Sequence, residues 1–230
     1  MLLRDTYCCE GGAGMGYHRA GFEVEGHDLF IDYTQARYPF ASHKGDAIEA
    51  INTLDADVWH ASPPCQRHTA GTRAIDRSGY PDLIGTTREA LKETGKPYII
   101  ENVKGSPLID PIELCGCMFG DEGMHATDTD GIELYLQRIR WFEPSDDLRP
   151  YLSAPREHDH SRHEWVGGSY GGARRDKYEA KYERAGGYVP SIPVQQKLLG
   201  IDWMTQRGMF QSIPPIYTEH LGRQIVAALS

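Results

Sequence analysis

The chain has 230 residues, 40% of them hydrophobic, and a formal net charge of −9, enough length to bury one core and an acidic balance that on its face argues against a nucleic-acid partner. No apolar run approaches the roughly 20 residues needed to cross a bilayer, and the opening MLLRDTY has no secretory apolar region, so a cytoplasmic location is expected. Five cysteines, with Cys8 and Cys9 adjacent and Cys115 and Cys117 in a CxC, do not form a secreted disulfide framework, and free thiols are expected.

In chain order, short apolar runs alternate with helix-like spans. A strand is predicted over 2–8, followed by a Gly-rich turn, a helix over 15–20 and a strand over 23–27. A further strand leads into Trp59-His60-Ala61-Ser62, a helix covers 83–93, and Tyr98-Ile99-Ile100 is the strongest strand signal. Alternation of this kind predicts an α/β fold with a mostly parallel sheet. Between Pro144 and Pro193 the periodicity gives way to Gly, Pro, His, Arg and Tyr, which reads as a small irregular insertion. Helical spacing returns after Pro193 and over 219–229. The expected organisation is therefore a main body over 1–143, an insertion over 144–192 and a return to the body over 193–230.

The turn Asp5-Thr-Tyr-Cys-Cys-Glu-Gly-Gly-Ala-Gly-Met-Gly16 ends the first strand and opens the first helix. Glycines there admit positive φ and let a ligand approach bare backbone, while the helix N-terminus adds donors, so a nucleoside-bearing cofactor fits. The spacing is not the dinucleotide GxGxxG. Asp28 at the next strand end and Gly45-Asp46 at the one after complete a series. In an open α/β sheet, ligands bind at the carboxyl ends of strands, where one acid takes ribose hydroxyls and another an adenine amino group.

In Trp59-His60-Ala61-Ser62-Pro63-Pro64-Cys65-Gln66, two prolines fix the backbone leading into a lone cysteine. From this pattern alone, a packed thiol and an aimed nucleophile both remain open. Downstream, Arg156 to Arg184 holds Arg162, Arg174, Arg175, Lys177 and Lys181, nearly cancelled by neighbouring acids, so it reads either as a phosphate-contacting segment or as a solvated mixed-charge face. His158, His160 and His163 have spacing that can hold a metal, with Cys115 and Cys117 as possible co-ligands, or they can contact phosphate.

Taken in order, DTYCCEGGAGMGYHRAGF (5–22), GDA (45–47), SPPCQ (62–66), ENV (101–103), CGCMFG (115–120), QRIRWFE (137–143) and LLGIDWMTQRGMFQSIPPIYTEHLGRQI (198–225) resemble the DNA cytosine-5 methyltransferases, especially short phage-type members. The resemblance implies a Rossmann-like S-adenosylmethionine-dependent methyltransferase fold, with helices on both faces of the sheet and an antiparallel seventh strand. It implies Cys65 as the nucleophile that adds to cytosine C6, Glu101 as the group that protonates N3, Arg140 as a contact to O2 that orients the glutamate, and Arg138 as the other motif arginine. Thiolate chemistry of this kind predicts activation of Cys65, for instance by a helix N-terminus. Asn102 is expected to hold backbone.

The same resemblance implies cofactor contacts at Tyr7, Gly11, Gly12, Asp28, Asp46, Pro64 and Gln211. Cys9 departs from the family's usual glycine, Gln211 from its asparagine, and Leu136 stands where its motif glutamine would be. DNA contacts are expected at Gln66, at Arg67, Thr72 and Arg73 in a loop over 67–79 that closes over the duplex, and at Arg174, Arg175 and Lys177 in the insertion, where family members carry target recognition. Duplex DNA is the expected partner, the chain is expected to act as a monomer, and no metal is expected because the family's chemistry needs none. Methylation of tRNA by the same chemistry, and a binding module without turnover, are the competing readings.

Overall fold

Val58-Trp59-His60-Ala61 and Tyr98-Ile99-Ile100-Glu101-Asn102 are buried at every position, which is what a central parallel strand covered on both faces requires. The computed structural model describes residues 1–29, 37–65, 67–68, 82–119, 124–127, 131, 133–158, 165–166 and 190–230. In chain order it contains β1 (Leu2–Thr6), α1 (Gly12–Arg19), β2 (Glu23–Asp28), β3 (Ala41–Lys44), α2 (Ala47–Thr53), β4 (Val58–Ala61), α3 (Ile84–Glu93) and β5 (Tyr98–Asn102). There follow β6 (Ile112–Leu114), β7 (His125–Thr127), β8 (Glu133–Leu136), β9 (Arg140–Pro144), β10 (Trp165–Val166), α4 (Ile192–Leu199), α5 (Gln206–Gln211) and α6 (Pro215–Leu229).

The main sheet has seven strands in the order β3-β2-β1-β4-β5-β9-β6. β1 to β5 pair in parallel, and β9 lies antiparallel to both β5 and β6. β9 is thus the antiparallel strand that periodicity alone does not detect. A second sheet, β10-β8-β7, is hydrogen-bonded separately from the first, and its Ala126, Leu134 and Leu136 pack into the same core as Leu3, Ile99 and Phe142.

Period-two alternation along the central strands divides the interior into two cores. Leu3, Val24, Val58 and Ile99 face α1 and α6, packing with Tyr17, Tyr217, Leu221 and Ile225. Trp59, Ala61, Tyr98 and Ile100 face the other way, onto Ile51, Ala90 and Leu91 of α2 and α3. Helices therefore cover both faces. α1 and α6, from opposite ends of the chain, meet at Gly16, where a Cβ would collide with the Pro215 carbonyl and the Thr218 hydroxyl. The Thr218 hydroxyl donates to the Ala13 carbonyl at 2.8 Å across this crossing. On the other face the buried Arg88 guanidinium makes a two-point pair with Glu143, at 2.6 and 2.7 Å, tying α3 to β9.

Three element boundaries differ from those read off the sequence. β1 stops at Thr6 because Tyr7 and Cys9 take positive φ, 57° and 46°, incompatible with a continuing strand. α1 starts at Gly12, earlier than expected, since glycines mask helical spacing although they fit this crossing. α6 starts at Pro215, because a proline in the first helical turn gives up no intrahelical hydrogen bond. Of the expected insertion, 145–158 packs on the main body through buried Leu148 and Leu152, while most of the remainder lies outside the described residues.

Gly16→Ala is expected to lower stability by about 1–3 kcal/mol, because backbone stands where the methyl would go. Gly85→Ala, with nothing within 4 Å of its Cβ position, is expected to be neutral or to stabilise by up to about 1 kcal/mol. Urea unfolding of the two variants beside the parent checks both.

Candidate functional site

Parallel pairing of Ala61 with Ile100 carries two chain ends to the same edge of the sheet: Ser62 to Cys65 after β4, and Glu101 and Asn102 at the end of β5. The Asn102 amide donates to the Pro63 carbonyl at 2.9 Å, and the Ser62 amide donates to Thr6 at 3.2 Å. Prolines limit the turn and Asn102 pins it, so Cys65 is held partly exposed beside Glu101. From β9, the Arg140 Nε lies 3.1 Å from Glu101 Oε1. Cys65, Glu101 and Arg140, far apart in sequence, thus form one cluster.

Burial pushes the Glu101 carboxyl above its ordinary value, opposed by Arg140, a hydrogen bond from Ser62 and the charge of Arg138. Burial also pushes the Cys65 thiol up, the Glu101 charge adds to this, and Arg140 and Arg138 oppose it. The expectation of an activated thiol is therefore not met. The residues after Cys65 turn back, with the His68 amide donating to the Cys65 carbonyl at 2.9 Å, and among the described residues no helix begins directly after Cys65. Because Glu101 as an anion disfavours the thiolate, a proton on Glu101 favours it. The two groups are suited to opposite charge states.

Beneath Glu101 runs a hydrogen-bonded chain that the sequence reading missed. The Tyr17 hydroxyl lies 3.0 Å from His60 Nδ1, His60 Nε2 lies 2.9 Å from the Ser62 hydroxyl, and Ser62 bonds Glu101. Complete burial holds the His60 pKa down at about 3, so the ring is neutral. With ionised Glu101 able only to accept, the directions follow: Ser62 donates to Glu101, His60 Nε2–H donates to Ser62, and Tyr17 donates to His60 Nδ1. The only sequence signal was a histidine inside an otherwise apolar strand.

At the Gly-rich turn, Cys9 sits in left-handed conformation, which explains why glycine suits the position. Its amide donates to Asp28 Oδ2 at 3.0 Å. Asp46 caps α2, with Oδ1 accepting the Ile48 and Glu49 amides at 2.9 and 3.1 Å. The Tyr7 hydroxyl bonds Thr87 at 3.0 Å, and the charges of Asp46 and Asp28 both reach it. Gly11 caps α1 with φ 85°, and α1 has neither a side-chain cap nor an acid in its first turn, although the Gly14 amide of that turn bonds the Asp5 carboxyl. A Cβ on Gly12 would strike the Ile213 carbonyl, so the segment after α5 lies over this end of α1, with the Gln211 side chain exposed. Asp5 is buried, its Oδ2 accepts from Tyr38 at 3.3 Å, and its Oδ1 has no hydrogen-bond partner. The start of α1 without a side-chain cap and the two strand-end acids Asp28 and Asp46 form a donor and acceptor set that fits an S-adenosylmethionine-like nucleoside with an amino-acid tail.

Arg138 is buried and donates to the Ser212 and Phe210 carbonyls at 3.0 and 2.8 Å, so these two hydrogen bonds clamp the end of α5, and its effect on Cys65 and Glu101 is through charge. Pro64 stands beside Cys65, partly exposed, and Arg67 is exposed. Gln66, Thr72, Arg73, Arg174, Arg175, Lys177, His160 and His163 lie outside the described residues, as does most of the expected closing loop. The structure brings Cys115, Cys117 and His158 together.

The alkylation rate of Cys65 with iodoacetamide is expected to rise with a midpoint above that of an ordinary thiol. Arg140→Ala moves the midpoint further up and Glu101→Gln moves it down; site-resolved mass spectrometry across pH reads both. A second expectation concerns stability. Burial lifts Asp5 from 3.8 to about 7 in the folded state, so as pH rises from 4 to 7 the unfolded chain releases this proton first and stability falls. Asp5→Asn removes that loss, gaining on the parent between pH 5 and pH 8 by at most about 3 kcal/mol. Urea unfolding at the two pH values measures it.

No family model matches the sequence, and no curated protein matches it. Among solved structures, the chain aligns over its full length with a protein from E. coli assigned as a DNA modification methyltransferase encoded within a prophage, at TM-score 0.59 and 14% identity, covering 99% of that chain. It aligns equally completely with the methyltransferase EhMeth of Entamoeba histolytica, at TM-score 0.53 and 12% identity, again covering 99% of that chain. With its strand order, antiparallel β9 and two-sided helical cover, the protein has the Rossmann-like methyltransferase fold.

Proposed function

We propose that the protein is a DNA (cytosine-5)-methyltransferase of the short phage type that uses S-adenosylmethionine and acts as a monomer on duplex DNA. The observation that carries this reading is the convergence of Cys65, Glu101 and Arg140 from the ends of β4, β5 and β9. Support also comes from the aligned structures, one assigned as a DNA modification methyltransferase and the other a methyltransferase.

Cytosine C5 is a weak nucleophile, so the chemistry begins by making it electron-rich. Cys65 gives up its proton to solvent, and the thiolate Sγ adds to C6 as the proton of Glu101 passes to N3, which leaves C5 with enamine character. The raised pKa of Glu101 keeps this proton available, and its transfer relies on Ser62, His60 and Tyr17 to hold the carboxyl in one orientation. Arg140 holds the same carboxyl, and in this reading it is also the group that contacts the base oxygen O2. S-adenosylmethionine, held by Asp28, Asp46, Tyr7, Pro64, Gln211 and the Gly11-Gly12 turn, supplies an electrophilic methyl group. Loss of the C5 proton to a base, cleavage of the Sγ–C6 bond with its electron pair returning to sulfur, and return of the N3 proton to Glu101 restore the aromatic ring, the thiolate and the carboxyl. A base within a duplex must be turned out of the stack to reach these groups, at a cost of a few kcal/mol. The loop with Gln66, Arg67, Thr72 and Arg73 and the insertion with Arg174, Arg175 and Lys177 provide the DNA contacts. So short an insertion is suited to a brief or relaxed recognition site.

The test is transfer of labelled methyl from S-adenosylmethionine to duplex DNA and, in parallel, to tRNA, followed by nucleoside analysis. The parent is expected to form 5-methylcytosine in DNA, Cys65→Ala none, and Glu101→Gln about 10²–10⁴-fold less. Label in tRNA alone moves the substrate to RNA. Binding of the cofactor without transfer to either nucleic acid overturns the catalytic reading.

A further inference from the structure

The CxC and the histidine that the proposed methyl transfer does not use come together in space. Cys115 and Cys117 flank the start of a 3-10 turn, Gly116–Phe119, after β6, and His158 stands beyond β9 in the described part of the segment leading into the insertion. Their donor atoms all lie within 4.8 Å of one another, with Cys117 Sγ 3.3 Å from His158 Nδ1. Thiolate and imidazole donors around a tetrahedral zinc ion stand about 3.5–3.8 Å apart, given bonds of about 2.3 Å to sulfur and 2.0 Å to nitrogen. The two sulfurs are buried and the imidazole closes them from the surface.

The far side of His158 is also arranged as a metal-bound histidine requires. His158 Nε2 donates to Glu113 Oε1 at 2.5 Å, and Glu113 Oε2 accepts from Trp141 Nε1 at 2.6 Å and pairs with Lys104 at 2.9 Å. A fixed carboxylate on Nε2 sets the tautomer that leaves the Nδ1 lone pair facing the thiols. Another cluster, Glu25, His27 and His43, differs in this respect: the Arg4 guanidinium already stands among its donors, 2.5 Å from Glu25 and 3.0 Å from His27.

We propose that Cys115, Cys117 and His158 bind a soft divalent cation, zinc first, with Glu113 as the positioning residue for His158. The ion takes two thiolates and one imidazole, releasing the thiol protons, and one tetrahedral position remains for a further donor. Its role is structural, since Cys65 and Glu101 act without it. Because 41 positions separate Cys117 from His158, the ion clips the segment entering the insertion onto the catalytic body. His160 and His163 are no part of the proposed set.

The test uses the full chain, purified without a histidine tag or chelator. Metal analysis is expected to find one equivalent of zinc, and after its removal Co2+ titration is expected to give the near-ultraviolet thiolate-to-cobalt band with one-to-one stoichiometry. His158→Asn, a surface change, and Cys117→Ser each reduce Co2+ affinity at least tenfold, and Glu113→Gln reduces it about 10–100-fold. Circular dichroism and cofactor binding establish that each variant is folded. A folded parent that retains no stoichiometric metal and gives no thiolate band overturns the proposal, as does a band that His158→Asn leaves unchanged. Since the readouts are metal content and spectra, this outcome is independent of whether methyl transfer to DNA is observed.

Discussion

The parallel pairing of β4 with β5 is the constraint on which the site depends. It places the turn after Ala61 next to Glu101 and Asn102, and the Asn102 amide then fixes the carbonyl of Pro63. Without that register the two prolines would still stiffen the chain, but the thiol would have no assured neighbour. Antiparallel β9, on the far side of β5, adds Arg140 from the third direction. Buried central strands make the arrangement rigid, because a one-residue slip would exchange the two hydrophobic cores.

Burial sets the electrostatics of this arrangement more than any single charge. Glu101, Asp5 and Cys65 are each pushed toward the neutral form first by desolvation, with Arg140 and Arg138 recovering part of the effect at Glu101 and Cys65. A neutral Glu101 is the form able to donate a proton, and its neutrality also eases ionisation of Cys65. The polarised chain from Tyr17 through His60 and Ser62 works in the opposite sense, stabilising the anion that remains after donation. Both protonation states of Glu101 therefore have a structural counterpart.

The same logic separates the two arginines of the QRIR motif. Arg140 touches Glu101, whereas Arg138 donates to carbonyls that close α5 and so joins β9 to the C-terminal segment lying over α1. Glu10, from the Gly-rich turn, accepts from the Thr205 amide and hydroxyl at 2.6 Å each and anchors that segment from its other end. β9 and the Gly-rich turn are thus both tied to the C-terminal segment, one through Arg138 and the other through Glu10.

Sequence by itself determined the alternation of strands and helices, the glycine turn, the stiff approach to Cys65 and the order of motifs, because backbone preference and hydrophobic period act over a few residues. It carried Cys65, Glu101 and Arg140 as separate candidates. What only the tertiary structure decided were relations between distant residues: that the antiparallel strand implied by the resemblance is β9 and lies between β5 and β6, the His60 chain beneath Glu101, the structural bonds of Arg138, and the meeting of Cys115 and Cys117 with His158. It also decided the sign of the shift at Cys65, where nearby prolines say nothing of desolvation. Long-range pairing and burial depend on which surfaces finally face one another, and no local pattern in the chain encodes that.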